Sequence, residues 1–428
     1  MRLREFLPAR SWSRWIGLAI AATALLCLFP IVDRKVRIHY AEQALRDRKA
    51  QLSLEWLSGV PNSTSQGHKE FLTARAYRRL GEMKLVRDWL AAAHIEGYPV
   101  EILEREQWLA MAQSGQMREA EPPLRLLLQD PGDDGAEICE AYVSGYVRNH
   151  EVQRALPIVD AWQADFPMDP LPHVIRAGRF REMENWNEAV IAYRKSLDLR
   201  PDDTQVRLQL AICLKTSLKL REAEVEFQAC LKETPEDKEL LAEWGDMLLS
   251  DGRVSEAKAA FDRLLTIDPK NFAGRAATGK IQLMNGKVDE ALKVLGPLHE
   301  ERPYDSKVLY SFASSLQAAG KTEEAAAQFQ KVTEAEAALH MKRKLLDELG
   351  ACEDPINQHF RIGQIAMKYE SPDEGLRWLM KVIDLDPGHV GAYDSLADYY
   401  TLVGNPDLEE KYRRLGSSYR GSKPAPGL

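Results

Sequence analysis

The sequence has few cysteines and no excess of positive charge. It contains five cysteines in 428 residues, and no two of them are close enough in the chain to suggest a CxxC-type zinc site or a disulfide-stapled domain. The formal net charge is −8, whereas dedicated nucleic-acid-binding proteins carry a basic stripe. We therefore expect no nucleic-acid partner. Hydrophobic residues make up 45% of the chain, which is enough to form a core and excludes wholesale disorder.

Catalytic motifs are also missing. The segment 319–322, AGKT, resembles the end of a phosphate-binding loop, but Ser315 stands where such a loop requires glycine. The nine histidines never form an HxxxH or HxH pair, and neither GxSxG nor GxGxxG occurs. The sequence therefore predicts no enzymatic activity, no metal site, no cofactor and no small-molecule substrate.

One long apolar run lies near the N-terminus. Residues 15–32 contain no charge, and as a helix they would extend about 27 Å, close to the hydrocarbon thickness of a bilayer. A cleaved secretion signal is the alternative, but no small-x-small cleavage site follows the run, and the chain continues as Asp33-Arg34-Lys35. The pattern favours an uncleaved transmembrane helix after a basic tail at 1–14.

The orientation of this predicted helix rests on the flanking charges. Four arginines precede the span, and Arg34, Lys35, Arg37 and Arg46 follow it. Lys/Arg bias holds the richer short flank in the cytoplasm, and we expect a short tail with four arginines to stay inside. This favours a single-pass protein of the cell membrane whose large C-terminal part is extracytoplasmic (periplasmic). A cytoplasmic location is the alternative, since unpaired cysteines suit a reducing compartment.

The rest of the chain repeats with a period of 34 residues. Prolines recur at this spacing, each preceded by an alanine twelve residues earlier and by a larger apolar residue eight residues earlier. The prolines are Pro167, Pro201, Pro235, Pro269 and Pro303, the alanines Ala155, Ala189, Ala223, Ala257 and Ala291, and the larger residues Val159, Tyr193, Phe227, Phe261 and Leu295. A fixed period of this length indicates a solenoid of stacked supersecondary units.

These residues resemble the tetratricopeptide repeat (TPR), W-x2-L-G-x2-Y, A-x3-F, P. The best copy is 238–271, with Trp244, Gly245, Ala257, Phe261 and Pro269. The resemblance implies an all-α, right-handed superhelical solenoid of about ten helix-turn-helix repeats: a TPR array of about eight repeats at 67–339 and two TPR-like repeats at 356–423. Before the array we expect a juxtamembrane helix and linker at 33–66.

Three departures from the repeat pattern stand out. The unit at 101–134 has Trp108 in place of a small residue and Pro122-Pro123 within its second helix. An insertion at 340–355 interrupts the period, and its composition predicts an elongated second helix followed by a loop. The last residues, 424–428, read as a disordered tail.

The resemblance implies a groove, lined by the first helices, that binds protein or peptide partners. Repeat offsets place these candidates on or near it: Phe71, Arg75, Arg78, Arg79, Arg105, Asp246, Lys280, Tyr310, Gln364, Asp394 and Asp398. The arginines could hold an acidic peptide through their guanidinium groups; alternatively they form a solvated face beside anionic lipid headgroups. The predicted function is thus a membrane-anchored protein-interaction scaffold, and the alternative is an accessory factor in bacterial envelope biogenesis (cytochrome maturation, secretion or lipopolysaccharide assembly) that acts through a catalytic partner.

Overall fold

The protein was analysed as a computed structural model that describes residues 32–61, 66–149, 151–349 and 352–420. Within these ranges the regular structure is helical, with 22 α-helices and no strand, which confirms the all-α prediction. The chain forms two compact units, divided between Phe166 and Pro167, which we call unit 1 and unit 2.

Unit 1 contains helices α1 to α8. Helix α1 covers 32–46. The others are α2 (Ala50–Ser58), α3 (His68–Arg79), α4 (Met83–Ile95), α5 (Val100–Gln113), α6 (Met117–Leu127), α7 (Gly135–Arg148) and α8 (Val152–Asp165). From α3 onward the helices pair as three hairpins. Residues of α1 and α2 share a core with the first hairpin, as Leu45 and Leu57 do with Phe71.

Unit 2 contains seven hairpins. Their helices are α9 (Leu171–Glu182), α10 (Trp186–Leu199), α11 (Thr204–Thr216), α12 (Leu220–Glu233), α13 (Lys238–Ser250), α14 (Val254–Ile267), α15 (Phe272–Met284), α16 (Val288–Glu301), α17 (Ser306–Ala318), α18 (Thr322–Glu348), α19 (Pro355–Tyr369), α20 (Pro372–Leu385), α21 (Val390–Leu402) and α22 (Pro406–Arg420).

Capping residues recur with the repeat. The first helices α11, α13, α15 and α17 begin after Asp203, Asp237, Asn271 and Asp305, whose side chains accept a hydrogen bond from the backbone N–H three residues later. Such caps satisfy an N–H group that has no partner within the helix. In these four repeats, the 34-residue period thus fixes where the first helix starts.

The turns inside five consecutive hairpins of unit 2, from α9–α10 to α17–α18, each contain one residue with positive φ. Gly252, Gly286 and Gly320 take this conformation at 75–78°, which glycine adopts without a steric cost. The two preceding repeats have Glu184 and Leu218 at the equivalent place, and both still show positive φ. The repeat therefore imposes the turn even where its sequence lacks glycine.

Glycine on a first helix allows the second helix to pack closely. A Cβ atom added to Gly245 would lie 2.5 Å from the Phe261 ring, and one added to Gly279 would lie 2.6 Å from Cγ of Leu295. Phe261 and Leu295 are both buried. Each pair therefore joins the two helices of a hairpin at a distance that only glycine permits.

The irregular segments remain helical. Helix α6 includes both Pro122 and Pro123. Helix α18 is 27 residues long, so residues 340–348 of the predicted insertion continue it, and Leu345 near its end packs with Ile362 of α19 and Trp378 of α20.

The predicted transmembrane helix is not shown. Residues 15–31 of that span lie outside the described residues, as do the predicted tails 1–14 and 424–428. In the described ranges, no helix combines the length and the apolar character needed to cross a bilayer.

Candidate functional site

The first helices of consecutive repeats contact one another. In unit 2, α11 contacts α13, α13 contacts α15 and α15 contacts α17; in unit 1, α3 contacts α5 and α5 contacts α7. Successive second helices form no packed pairs of this kind among the described residues. Elements that approach each other more closely lie on the inner side of a bend, so we call the surface formed by the first helices the inner face of each unit.

The predicted arginine cluster lies on the inner face of unit 1, where it is already paired. Arg78 is 2% exposed and donates hydrogen bonds to the carboxylates of Glu106 on α5 and Glu137 on α7. Arg75 also bonds to Glu137, and its Nη2 lies 2.9 Å from Oδ1 of Asp134. These carboxylates belong to the chain itself, and they occupy the sites that an acidic ligand would need.

The same network continues through Arg79 and Arg105. Nη2 of Arg79 lies 3.0 Å from Oε1 of Glu137, and Nη2 of Arg105 lies 3.4 Å from Oδ2 of Asp134. Burial lowers the pKa of Arg79 to about 10, a shift that the neighbouring arginines support and the charge of Glu140 opposes.

This arrangement corrects the expectation that Arg78 could bind an acidic peptide. A buried charge is stable only when it is paired and hydrogen-bonded, and Arg78 meets that requirement inside unit 1. Phe71 is likewise interior, 5% exposed, with its ring centroid 4.8 Å from that of Tyr98. Both residues support packing between helices and are not available on the surface.

In unit 2, three candidates lie on the consecutive first helices α13, α15 and α17. Asp246 accepts a hydrogen bond from Lys307, two repeats further along the chain. Lys280 is exposed and forms no ion pair with any residue in the described ranges. Tyr310 is 58% exposed, and its ring meets that of Phe329 edge to face with centroids 5.8 Å apart.

The remaining candidates lie in the last two repeats. Gln364 is exposed on α19. Asp394 and Asp398 of α21 pair with α22, the former with Arg420 and the latter with Arg413 at 3.3 Å. Both carboxylates remain partly accessible, and exposed pairs of this kind contribute little to stability.

The sequence reading missed a polar ladder between consecutive first helices. Arg78 bonds to Glu106, Arg181 to Gln209 and Lys215 to Glu243. Each pair joins residues 28 positions apart, from near the end of one first helix to the middle of the next. A search for basic residues followed by an acid or amide at this spacing would have found it.

Two buried thiols of unit 2 have shifted pKa values. Burial raises the pKa of the thiols of Cys213 and Cys230 to about 11 in each case, which suppresses the reactive thiolate. Within the described residues, no three His, Cys, Asp or Glu side chains come together in a group that could hold a metal ion.

Comparison with known proteins identifies the repeat. Residues 248–306 match the family model described as tetratricopeptide repeat. No curated protein sequence matches the chain significantly.

Solved structures show distant similarity. A tetratricopeptide repeat protein from Parabacteroides merdae is 17% identical, with 65% of this chain and 98% of that one covered and a TM-score of 0.40. Human IFIT1, solved as a dimer with m7Gppp-AAAA, is 15% identical, with 89% and 95% covered and a TM-score of 0.41. YrrB, described as a TPR protein with an unusual peptide-binding site, is 20% identical, with 48% and 97% covered and a TM-score of 0.28. Similarities at this level carry no functional argument.

The repeat assignment therefore rests on the family match and on the hairpins themselves. The matched segment begins in α13 and ends at the start of α17. A side-chain cap and a positive-φ turn occur before it, at Asp203 and Leu218, and after it, at Asp354 and Gly320. Residues 248–306 match the tetratricopeptide repeat, and helical hairpins of the same kind continue on both sides of this segment.

Proposed function

We propose that the chain is a protein-interaction scaffold that binds an extended segment of a partner polypeptide on the inner face of unit 2. The observation that supports this proposal is the exposure of Lys280 and Tyr310 on adjacent first helices. A cation with no ion pair among the described residues and an aromatic side chain that is more than half exposed can together hold a segment that carries a carboxylate beside an apolar side chain.

The ion pair between Asp246 and Lys307 helps to explain why Lys280 is the cation available to a ligand. Asp246 and Lys307 satisfy each other, so a ligand would gain little from either charge alone. Lys280, between them along the chain on α15, remains available. The proposal assigns no catalytic step, metal or cofactor to the chain.

We also propose that residues 15–32 anchor the scaffold in a membrane, with the repeats extracytoplasmic. Their uncharged sequence supports this. Alkaline carbonate extraction should leave the full chain in the membrane fraction, and proteolysis of intact cells or spheroplasts should report the side that the repeats occupy. Release by carbonate would contradict the anchor without affecting the binding proposal.

Photo-crosslinking tests the binding surface. A photoreactive phenylalanine analogue is placed at Tyr310 in the full chain, and a matched variant carries it at Val225 on α12, where the native side chain is 64% exposed. We expect a discrete partner adduct from position 310, reduced by Lys280→Glu, and none from position 225. Equal adducts at both positions, or adducts insensitive to Lys280→Glu, would contradict the proposal.

A further inference from the structure

A groove of about 600 Å³ lies between α4 and α5 of unit 1. Along α5 its lining includes Val100, Leu103, Gln107 and Met111, which are spaced three or four residues apart and therefore share one face of the helix. It follows the length of α4, which has 13 residues, or about 20 Å. The groove residues differ from those of the inner face, since neither Arg105 nor its neighbours in the ion network line it.

The groove has an apolar floor, two cations on α4 and one carboxylate, Glu104, on α5. Val86 and Leu90 of α4 are buried at its base with Leu103. Lys84 and Arg87 stand exposed on the same helix, and neither has an ion pair or hydrogen-bonded side-chain partner in the part of the chain that the structure describes.

Two arginines of unit 1 outside the groove are paired with a carboxylate. Arg125 and Arg154 both lie within 2.9 Å of the carboxylate of Glu121. Lys84 and Arg87 differ from these two paired arginines. His94 of the same helix also lines the groove.

From this geometry we infer that the groove binds an amphipathic α-helix of a partner protein, with an apolar stripe flanked by Asp or Glu. Apolar side chains at i, i+3 or i+4 and i+7 would cover the floor, as in other helix-in-groove complexes. The acidic flank would lie against Lys84 and Arg87, where opposite charge sets orientation and speeds association. The length of the groove matches three to four turns of such a helix.

Two synthetic peptides and the full-length protein test the inference. One 15-residue helical peptide carries leucine at the i, i+3, i+4 and i+7 positions and glutamate along one flank; the second has lysine in place of each glutamate. Fluorescence anisotropy should show that the acidic peptide binds at least tenfold more tightly than the basic one. The double variant Lys84→Glu, Arg87→Glu should lose at least tenfold in affinity.

Steric and surface controls separate the groove from the rest of unit 1. Ala91→Trp should fill the groove and abolish binding, while Arg118→Glu on the exposed side of α6 should leave it unchanged. Gln107→Trp provides a second blocking variant, and circular dichroism confirms that each variant folds. Equal binding of both peptides, or binding unaffected by the two blocking variants, would overturn the inference.

Two further outcomes would assign the groove to another occupant and also overturn it. If sedimentation velocity shows that the protein self-associates and that Ala91→Trp abolishes the association, the occupant of the groove is a second copy of the chain. If the protein floats with vesicles containing 30% phosphatidylglycerol, if the double variant Lys84→Glu, Arg87→Glu does not, and if neither peptide binds, the partner of this surface is a lipid bilayer.

Discussion

Replacing Arg78 with alanine tests whether the arginine cluster is structural. Arg78 is 2% exposed, and its removal would leave Glu106 and Glu137 buried without one of their partners. Breaking a buried ion pair from one side typically costs about 3–5 kcal/mol, because the remaining charge stays desolvated. Glu137 retains Arg75 and Arg79, so Glu106 should account for most of the loss.

Hydrogen exchange followed by mass spectrometry can localise this loss. Since each 1.4 kcal/mol is a factor of ten, amides of α3, α5 and α7 should exchange roughly two to three and a half orders of magnitude faster in Arg78→Ala. Arg118→Ala, on the exposed surface of α6, should change the free energy of opening derived from the exchange rates by less than about 0.5 kcal/mol. Adding Glu106→Gln to Arg78→Ala should recover part of the loss by neutralising the unpaired carboxylate. Unchanged exchange, together with loss of partner binding, would refute the structural role and return Arg78 to the ligand surface.

Three other substitutions or measurements probe unit 2. Phe261→Ala should destabilise the neighbouring repeats by about 3–5 kcal/mol in urea unfolding, as a buried large-to-small change; unfolding like the unsubstituted protein would contradict the packing described. Leu218→Gly should stabilise by about 1 kcal/mol, since the side chain is 81% exposed and φ is 60°; destabilisation would show that Leu218 has an unseen role. Cys213 and Cys230, with pKa raised to about 11, hold on the order of one thousandth of their thiol as thiolate at pH 8. Iodoacetamide should therefore modify the partly exposed Cys352 before either of these two buried cysteines. Modification in the reverse order would contradict their burial.

Much of the fold could be predicted from the sequence because the repeat acts through backbone geometry. Asp237 and Gly252 define the start of one first helix and the turn after it, and a shift of 34 residues transfers both features to the next repeat. The positive φ of Glu184 and Leu218 could not be predicted in this way, because neither residue type favours a turn or a positive φ. Packing of the flanking helices selects the turn there, and that selection depends on tertiary structure.

The predicted binding surface was less accurate because position within one repeat does not reveal contacts between repeats. Arg78 and Lys215 occupy equivalent places near the ends of first helices, which in isolation face the groove. In the stacked structure each reaches the next first helix and meets a carboxylate 28 residues later, Glu106 and Glu243 respectively. The information was present in the sequence, but only as a relation between two repeats.

This relation explains why Lys280 differs from the other basic candidates. The residue 28 positions after it is Val308, which is buried and offers no charge. Lys280 also lies in the middle of α15, whereas the ladder begins near the ends of first helices. A cation on an inner face therefore remains available to a ligand only when the next repeat does not supply its counter-ion. By that criterion the binding proposal rests on Lys280, and substitution of Lys280 should weaken partner capture while leaving the exchange rates of α13, α15 and α17 unchanged; faster exchange there would instead identify a structural role.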